Sequence, residues 1–512
     1  MGELKQRVVK GVLWQLLEKF GCQVMTFVVG MVLARLLSPS EFGTVALTGI
    51  FFAVTGVLVD SGLGNALVQK KDSDDLDFNS VFYLNLALST LAYVALFFAA
   101  PWIADFYRTP ELTPIVRVSA VCFFYNAVNA IQNAELQKKM LFNLSFRISL
   151  ITCFTSGFFG ILFAFLGFGV WALVWASVLA GTACVIARWF FVAWRPKLMF
   201  SWTRLKPLYS FGWKMAASAL LDKFFAELNG LLIGRFYTKA EVAFVNKGNA
   251  TPNMAMSAVD GTLGAVSFPA LVQFQDDRER LREAMRKMIR CSTFLVFPLM
   301  TGVALCSRSW IRLTYGEPWL PAVPYMMLAC FSFALWPFHT VNLRGIIVMG
   351  RSDVFLKLEV VKKALKLVAI FAAFRYGVLA FMIVCTFVLD PLCVFVNAWP
   401  NRKLLGYAFS MQVRDVLPSV WACCPMVASV WAAGCGCDLI GGHLGVGTQG
   451  TSLIVFLLCR IGVQALVGAG VYFGVAYAAR LRPLGELLDA VDPLLRKKVP
   501  ALSTLFRRRF SS

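Results

Sequence analysis

The chain has 512 residues, 59% hydrophobic and 15% charged, with a mean hydropathy of +0.70 and a formal net charge of +21. A soluble protein carries roughly a quarter charged residues, so this composition excludes an ordinary globular protein in water. Apolar runs of about 18–28 residues fit α-helices crossing a hydrocarbon core about 30 Å thick, and the period-2 segments of a membrane β-barrel are absent.

In chain order, the N-terminus "MGELKQRVVKGVLWQLLEKF" is basic and enters a long apolar run directly. It lacks a short apolar h-region with a small-residue cleavage site, so a removed signal peptide is not expected. About fourteen spans follow, at 11–37, 43–68, 80–104, 113–134, 146–166, 169–193, 208–234, 241–272, 290–307, 322–346, 354–374, 378–399, 415–436 and 451–479. The N-terminus, alternate loops and C-terminal tail hold about 35 Lys/Arg, and the opposite loops about 6. The positive-inside rule then puts both termini in the cytoplasm and accounts for the basicity without a nucleic-acid partner. The 14 cysteines are scattered without a CxxC, and His339 and His443 lie far apart, so neither a metal site nor a disulfide framework is expected.

A repeat runs along the chain. "LLEKF" at 16–20 recurs as "LLDKF" at 220–224, Arg35 aligns with Arg235, Glu41 with Glu241, "DSGLG" with "DGTLG", and "ALVQ" at 66–69 with 270–273. Six spans separate the copies, an even number, so both halves have the same orientation. The expected fold is all-α, a polytopic membrane protein with two six-helix lobes in parallel repeat plus two extra helices. The N-terminal lobe is assigned to 1–206, the C-terminal lobe to 207–410, the extra helices to 411–480 and a cytoplasmic basic tail to 481–512. That tail reads either as a surface helix on anionic lipid or as a frayed basic end.

An ionisable residue at a helix centre costs about 2.5–3.5 kcal/mol on insertion scales and should face water or protein. The candidate cavity cations are Lys19, Lys214, Lys223, Lys247, Arg117 and Arg344; the acids beside them are Glu18, Asp60, Asp222, Glu227 and Asp260. Lys223 and Glu227 are i,i+4 neighbours, whereas adjacent Glu18 and Lys19 point about 100° apart. Lys19 also fits a snorkelling anchor, Arg117 and Arg344 fit interfacial anchors, and Asp60 and Asp260, beside glycines, fit helix ends or breaks. Several lysines and arginines suit a phosphate or pyrophosphate, and the acids suit a coupling ion, H+ or Na+. No other cofactor is expected.

Enzyme motifs fail on context. "GVGTQG" at 445–450 satisfies GxGxxG but sits in a glycine-rich loop without strand or acid, and "DSDD" at 72–75 sits in a short loop without a catalytic domain. An enzyme is not expected.

The ordered segments "LARLLSPSEFG", "VDSGLGNALVQKKD", "FYRTPELTPIVRVSA", "IGRFYTKAEVAFVNKGNA", "FPALVQFQDDRERLREAMRKMIR", "YGEPWLPAVP" and "GRSDVFLKLEVVKKALK" resemble the Wzx/WzxC-like polysaccharide flippases. These belong to the polysaccharide transport branch of the multidrug/oligosaccharidyl-lipid/polysaccharide exporter superfamily. The resemblance covers roughly residues 1–415. It implies fourteen helices, a bacterial inner-membrane location, and movement of undecaprenyl-pyrophosphate-linked oligosaccharide from the cytoplasmic to the periplasmic leaflet by alternating access. The implied partners are the lipid-linked oligosaccharide, the bilayer and other polysaccharide assembly proteins. A multidrug or cation antiporter of the same superfamily and a membrane polysaccharide polymerase remain the alternatives.

Overall fold

The computed structural model describes residues 2–60, 63–70, 72–443 and 451–487; side chains are described for all of these except 2–13, 16, 65, 69, 210–212, 214, 215, 261–270 and 451. Helices are the regular structure of the described residues, without a strand among them, and the chain falls into two compact units, Met1–Ala243 and Phe244–Ser512.

The first unit contains α1 (Gly2–Leu36), α2 (Pro39–Ala46), α3 (Gly49–Asp60), α4 (Leu63–Gln69), α5 (Asp75–Phe106), α6 (Leu112–Ser119), α7 (Cys122–Lys138), α8 (Phe142–Phe165), α9 (Val170–Phe191), α10 (Trp202–Phe236) and the start of α11 (Lys239–Val272). Fully buried Leu63, Leu67, Val81, Ile131 and Leu205 gather α4, α5, α7 and α10 into one core. This packing places α10 in the first compact unit, whereas the repeat assigns its sequence to the second lobe.

The second unit holds the rest of α11, then α12 (Arg278–Thr314), a 3-10 turn (Glu317–Ala322), α13 (Val323–Ala334), α14 (Trp336–Val348) and α15 (Ser352–Ala373). After α16 (Val378–Val384) come a π-helical turn (Cys385–Leu389), α17 (Asp390–Leu405), α18 (Phe409–His443) and α19 (Thr451–Ala478). Leu281, Met285, Ile289 and Tyr407 form a core that ties α12 to the α17–α18 corner. Beneath it, Asn342, Asn401 and Gln412 are fully buried and bond to one another at 2.7–2.9 Å. This buried amide cluster links α14, α17 and α18 and fixes their relative register.

Every expected span falls on helix, and four are interrupted. The second is broken between α2 and α3, the fourth into α6 and α7, the tenth into α13 and α14 before Pro337, and the twelfth by the π turn. Eleven stretches of the described residues are long and apolar enough to cross a membrane. The helices α10 and α15 are outside that set because charges crowd them.

The repeat is visible in atomic detail at the helix starts. Glu41 accepts from the Ser38 N–H at 2.7 Å while its own N–H donates to Ser38 Oγ at 3.4 Å. Two hundred residues on, Glu241 and Thr238 make the same reciprocal cap at 3.1 and 3.2 Å. The two capped turns also touch, since a Cβ on Gly43 would stand 1.9 Å from the Lys239 carbonyl oxygen.

Candidate functional site

In the first unit, neighbours on α1 part company as their 100° offset requires. Glu18 faces α8 and accepts from Ser149 Oγ at 2.6 Å, whereas Lys19 is exposed. Asp60, on α3, is exposed, and the serine and glycine that follow it lie outside the described residues. Arg117 is held by α5: its Nε donates to the Phe97 carbonyl at 3.2 Å and its guanidinium lies 4.3 Å from that ring's centroid.

On α10, Asp222 and Lys223 are exposed well inside a 35-residue helix, and Glu227 is half-buried, its Oε2 3.4 Å from where a Cβ on Gly49 of α3 would stand. The side chain of Lys214, on the same helix, lies outside the described residues.

In the second unit, Lys247 rests on aromatic faces, its Nζ 5.1 Å from the Tyr315 centroid and 5.8 Å from that of Trp319. The ring quadrupoles favour the charge there. Asp260 lies within unbroken α11, so the glycine after it does not end the helix. It pairs with Arg344 of α14 at 3.4 Å. One candidate cation and one candidate acid are therefore brought together.

The structure adds a polar cluster that loop-charge counting missed. Lys362, Lys363 and Lys366 sit ten to fourteen residues into α15, about 15–21 Å along its axis. Lys362 pairs with Glu359 at 2.6 Å, and Lys366 interacts electrostatically with Asp390, the first residue after the π turn. Ser332 on α13 donates to Asp390 and lies 3.3 Å from Thr386 on the π turn. His339 of α14 meets Asn397 of α17 at 2.9 Å. A π turn inside a span frees backbone groups and often marks a functional position. The sequence signal was present as "KLEVVKKALK", but its lysines were counted as loop charges although they lie within the span 354–374.

Away from these groups, an apolar cleft of about 370 Å³ opens among α12, α18 and α19, lined by Leu295, Leu299, Val303, Met426, Ile461 and Phe473. "DSDD" has a structural use. Asp74 caps α5 by accepting from the Asp77 N–H at 3.0 Å, which holds its carboxyl below the usual range. Asp75 pairs with Lys197 and Asp77 with Lys70, each at 2.5 Å. No cluster of His, Cys, Asp and Glu suited to a metal occurs among the described residues. "GVGTQG" lies outside them, as does the tail beyond 487.

A family model described as polysaccharide biosynthesis protein matches residues 32–324, more than half of the chain. The teichuronic acid biosynthesis protein TuaB of Bacillus subtilis is 23% identical, over 82% of this chain and 86% of its own length. The lipopolysaccharide biosynthesis protein WzxC of Escherichia coli is 23% identical over 64% and 67%, and the succinoglycan biosynthesis transport protein ExoT of Rhizobium meliloti 25% over 64% and 66%. In fold, the chain is similar to the lipid II flippase MurJ in an inward closed conformation, with a TM-score of 0.70 at 12% identity over 92% of this chain and all of that one. A multidrug resistance MATE transporter in an inward-facing conformation follows at 0.61, with 16% identity over 75% and 94%.

Proposed function

Because this chain belongs to the polysaccharide biosynthesis protein family, we propose that it is a flippase for lipid-linked oligosaccharide, carrying a polyprenyl-pyrophosphate-linked sugar unit between membrane leaflets. It is a multi-pass membrane protein and not an enzyme. The single observation that carries the reading is the exposure of Asp222 and Lys223 deep within α10. A lysine there cannot face hydrocarbon without a cost of about 2.5–3.5 kcal/mol, so its surface must meet water or a polar solute.

A sugar-pyrophosphate head loses its hydrogen bonds in lipid and needs a polar route, whereas its tail does not. Lys19, Lys223, Lys247, Arg344 and the α15 lysines offer charge for the pyrophosphate, and the apolar cleft beside α12 can receive hydrocarbon. Alternating access moves such a head without a standing pore. Glu18, Asp60, Asp222, Glu227 and Asp260, joined by Asp390, are the carboxylates at which H+ or Na+ would couple transport to a gradient. The chain would lie in the bacterial inner membrane with both termini cytoplasmic, move its cargo to the periplasmic leaflet, and work beside other polysaccharide assembly proteins. Likeness to a multidrug transporter is a likeness of fold, and lysines and arginines within the helices disfavour cationic drugs.

The test is genetic. Deleting the gene should leave lipid-linked oligosaccharide on the cytoplasmic leaflet; unpolymerised units accumulating on the outer side would point to a polymerase instead.

A further inference from the structure

At the basic end of α12 lies a cleft that transport does not use. The helix is 37 residues long, about 55 Å, far more than a bilayer core requires. Its charge-free stretch runs from Cys291 to Ser307, and six Lys/Arg precede that stretch between Arg278 and Arg290. The cations therefore begin where the hydrocarbon ends, at the depth of lipid headgroups.

Beside this segment a cleft of about 750 Å³ is lined by Arg280, Arg286, Lys287, Arg290 and Arg482, with Glu283 as the one acid in the lining. Two of the arginines are already committed. Arg286 grips Asp415 through two bonds of 2.8 and 2.7 Å, and Arg290 pairs with Glu486. Asp415 is further fixed by the Tyr407 hydroxyl at 2.9 Å. Glu486 belongs to the segment after α19, where Leu481, Leu484 and Leu487 pack against the cluster of Phe294 and Tyr472. The cleft is thus built from α12 and the α19 extension and held by half-buried pairs. Lys287 and Arg482, both exposed, make no ion pair among the described residues, and the Nε of Arg290 is a buried donor with no acceptor.

We propose that this cleft binds a phosphate-bearing group, with Lys287 and Arg482 as its direct ligands and Arg286 and Arg290 as its preorganised floor. Arginine forks match phosphate oxygens in pairs, and an ammonium adds a compact charge. The phosphate can come from an anionic phospholipid headgroup or from a soluble phosphate. The first source would fasten the α19 extension to the membrane surface.

The experiment uses the full chain in neutral detergent and compares it with the Lys287→Ala/Arg482→Ala double variant by native mass spectrometry. Phosphatidylglycerol, phosphatidylcholine and inorganic pyrophosphate are the probes. Equal melting temperatures establish that the variant is folded; should it not fold, Lys287→Gln alone takes its place. Phosphatidylglycerol held roughly tenfold more weakly by the variant, with phosphatidylcholine unaffected, identifies a lipid headgroup. A matching loss for pyrophosphate, with displacement of phosphatidylglycerol, identifies a soluble phosphate. Equal binding of both anions to the two proteins overturns the assignment. None of these outcomes depends on which leaflet accumulates oligosaccharide, so this inference and the flippase reading fail separately.

Discussion

Arg344 on α14 and Asp260 on α11 face each other at 3.4 Å, both half-buried. A cation proposed for the substrate and an acid proposed for the coupling ion thus form one unit, and each must be understood through the other. Removing one partner strands a charge in a low-dielectric setting, which costs more than removing both. Arg344→Ala and Asp260→Ala should each lower thermal stability in detergent by roughly 1–3 kcal/mol, and the double variant by less than their sum. Additive losses would mean that the pair is not coupled.

The close approach of the two capped turns makes a second prediction. A methyl group at Gly43 would meet the Lys239 carbonyl oxygen at 1.9 Å, and backbone cannot step aside as a side chain can. Gly43→Ala should cost about 1–3 kcal/mol and reduce the amount of protein in the membrane. A Cβ on Gly56 would stand in open space, so Gly56→Ala is the matched control and should leave protein level unchanged.

Lysines that share a charge should separate by surroundings. Lys223 is exposed on α10, whereas Lys247 is enclosed by Tyr315 and Trp319. Losing a charge-assisted bond to pyrophosphate is worth about 1.5–3 kcal/mol, so Lys223→Ala should cut export roughly tenfold or more at normal protein level. Lys247→Ala should instead lower the melting temperature first, through about 1–2 kcal/mol of cation–π attraction. Quantitative blotting beside export distinguishes the two.

The α15 cluster carries its own expectation. Lys366→Met should abolish export and Lys366→Arg should retain part of it, because Asp390 needs a positive partner and the π turn fixes where that partner stands. Asp390→Asn in the Lys366→Met background should restore protein level but not export. Restored export would reduce the pair to a structural role.

Much of this architecture was legible because apolar length reports directly on bilayer thickness. All fourteen spans fall on helix, and the Ser38/Glu41 and Thr238/Glu241 caps follow from residue types at fixed spacing. Interruptions were less visible. The glycine after Asp260 does not end α11, since local sequence does not settle whether packing holds a helix through. The Phe97 partner of Arg117 lies on another helix and has no signature in one sequence. The α15 lysines were hidden because they were added to the charge of the preceding loop although they lie inside the span. Long-range partners such as Arg286 with Asp415 have no signature in one sequence.

The most direct measurement is transbilayer movement in liposomes holding the purified full chain and a labelled polyprenyl-pyrophosphate oligosaccharide, with an impermeant lectin reporting the outer leaflet. The account predicts movement that depends on the protein and falls by roughly tenfold or more in both Lys223→Ala and Lys366→Met. Equal movement in protein-free liposomes, or full movement in both variants, would contradict it.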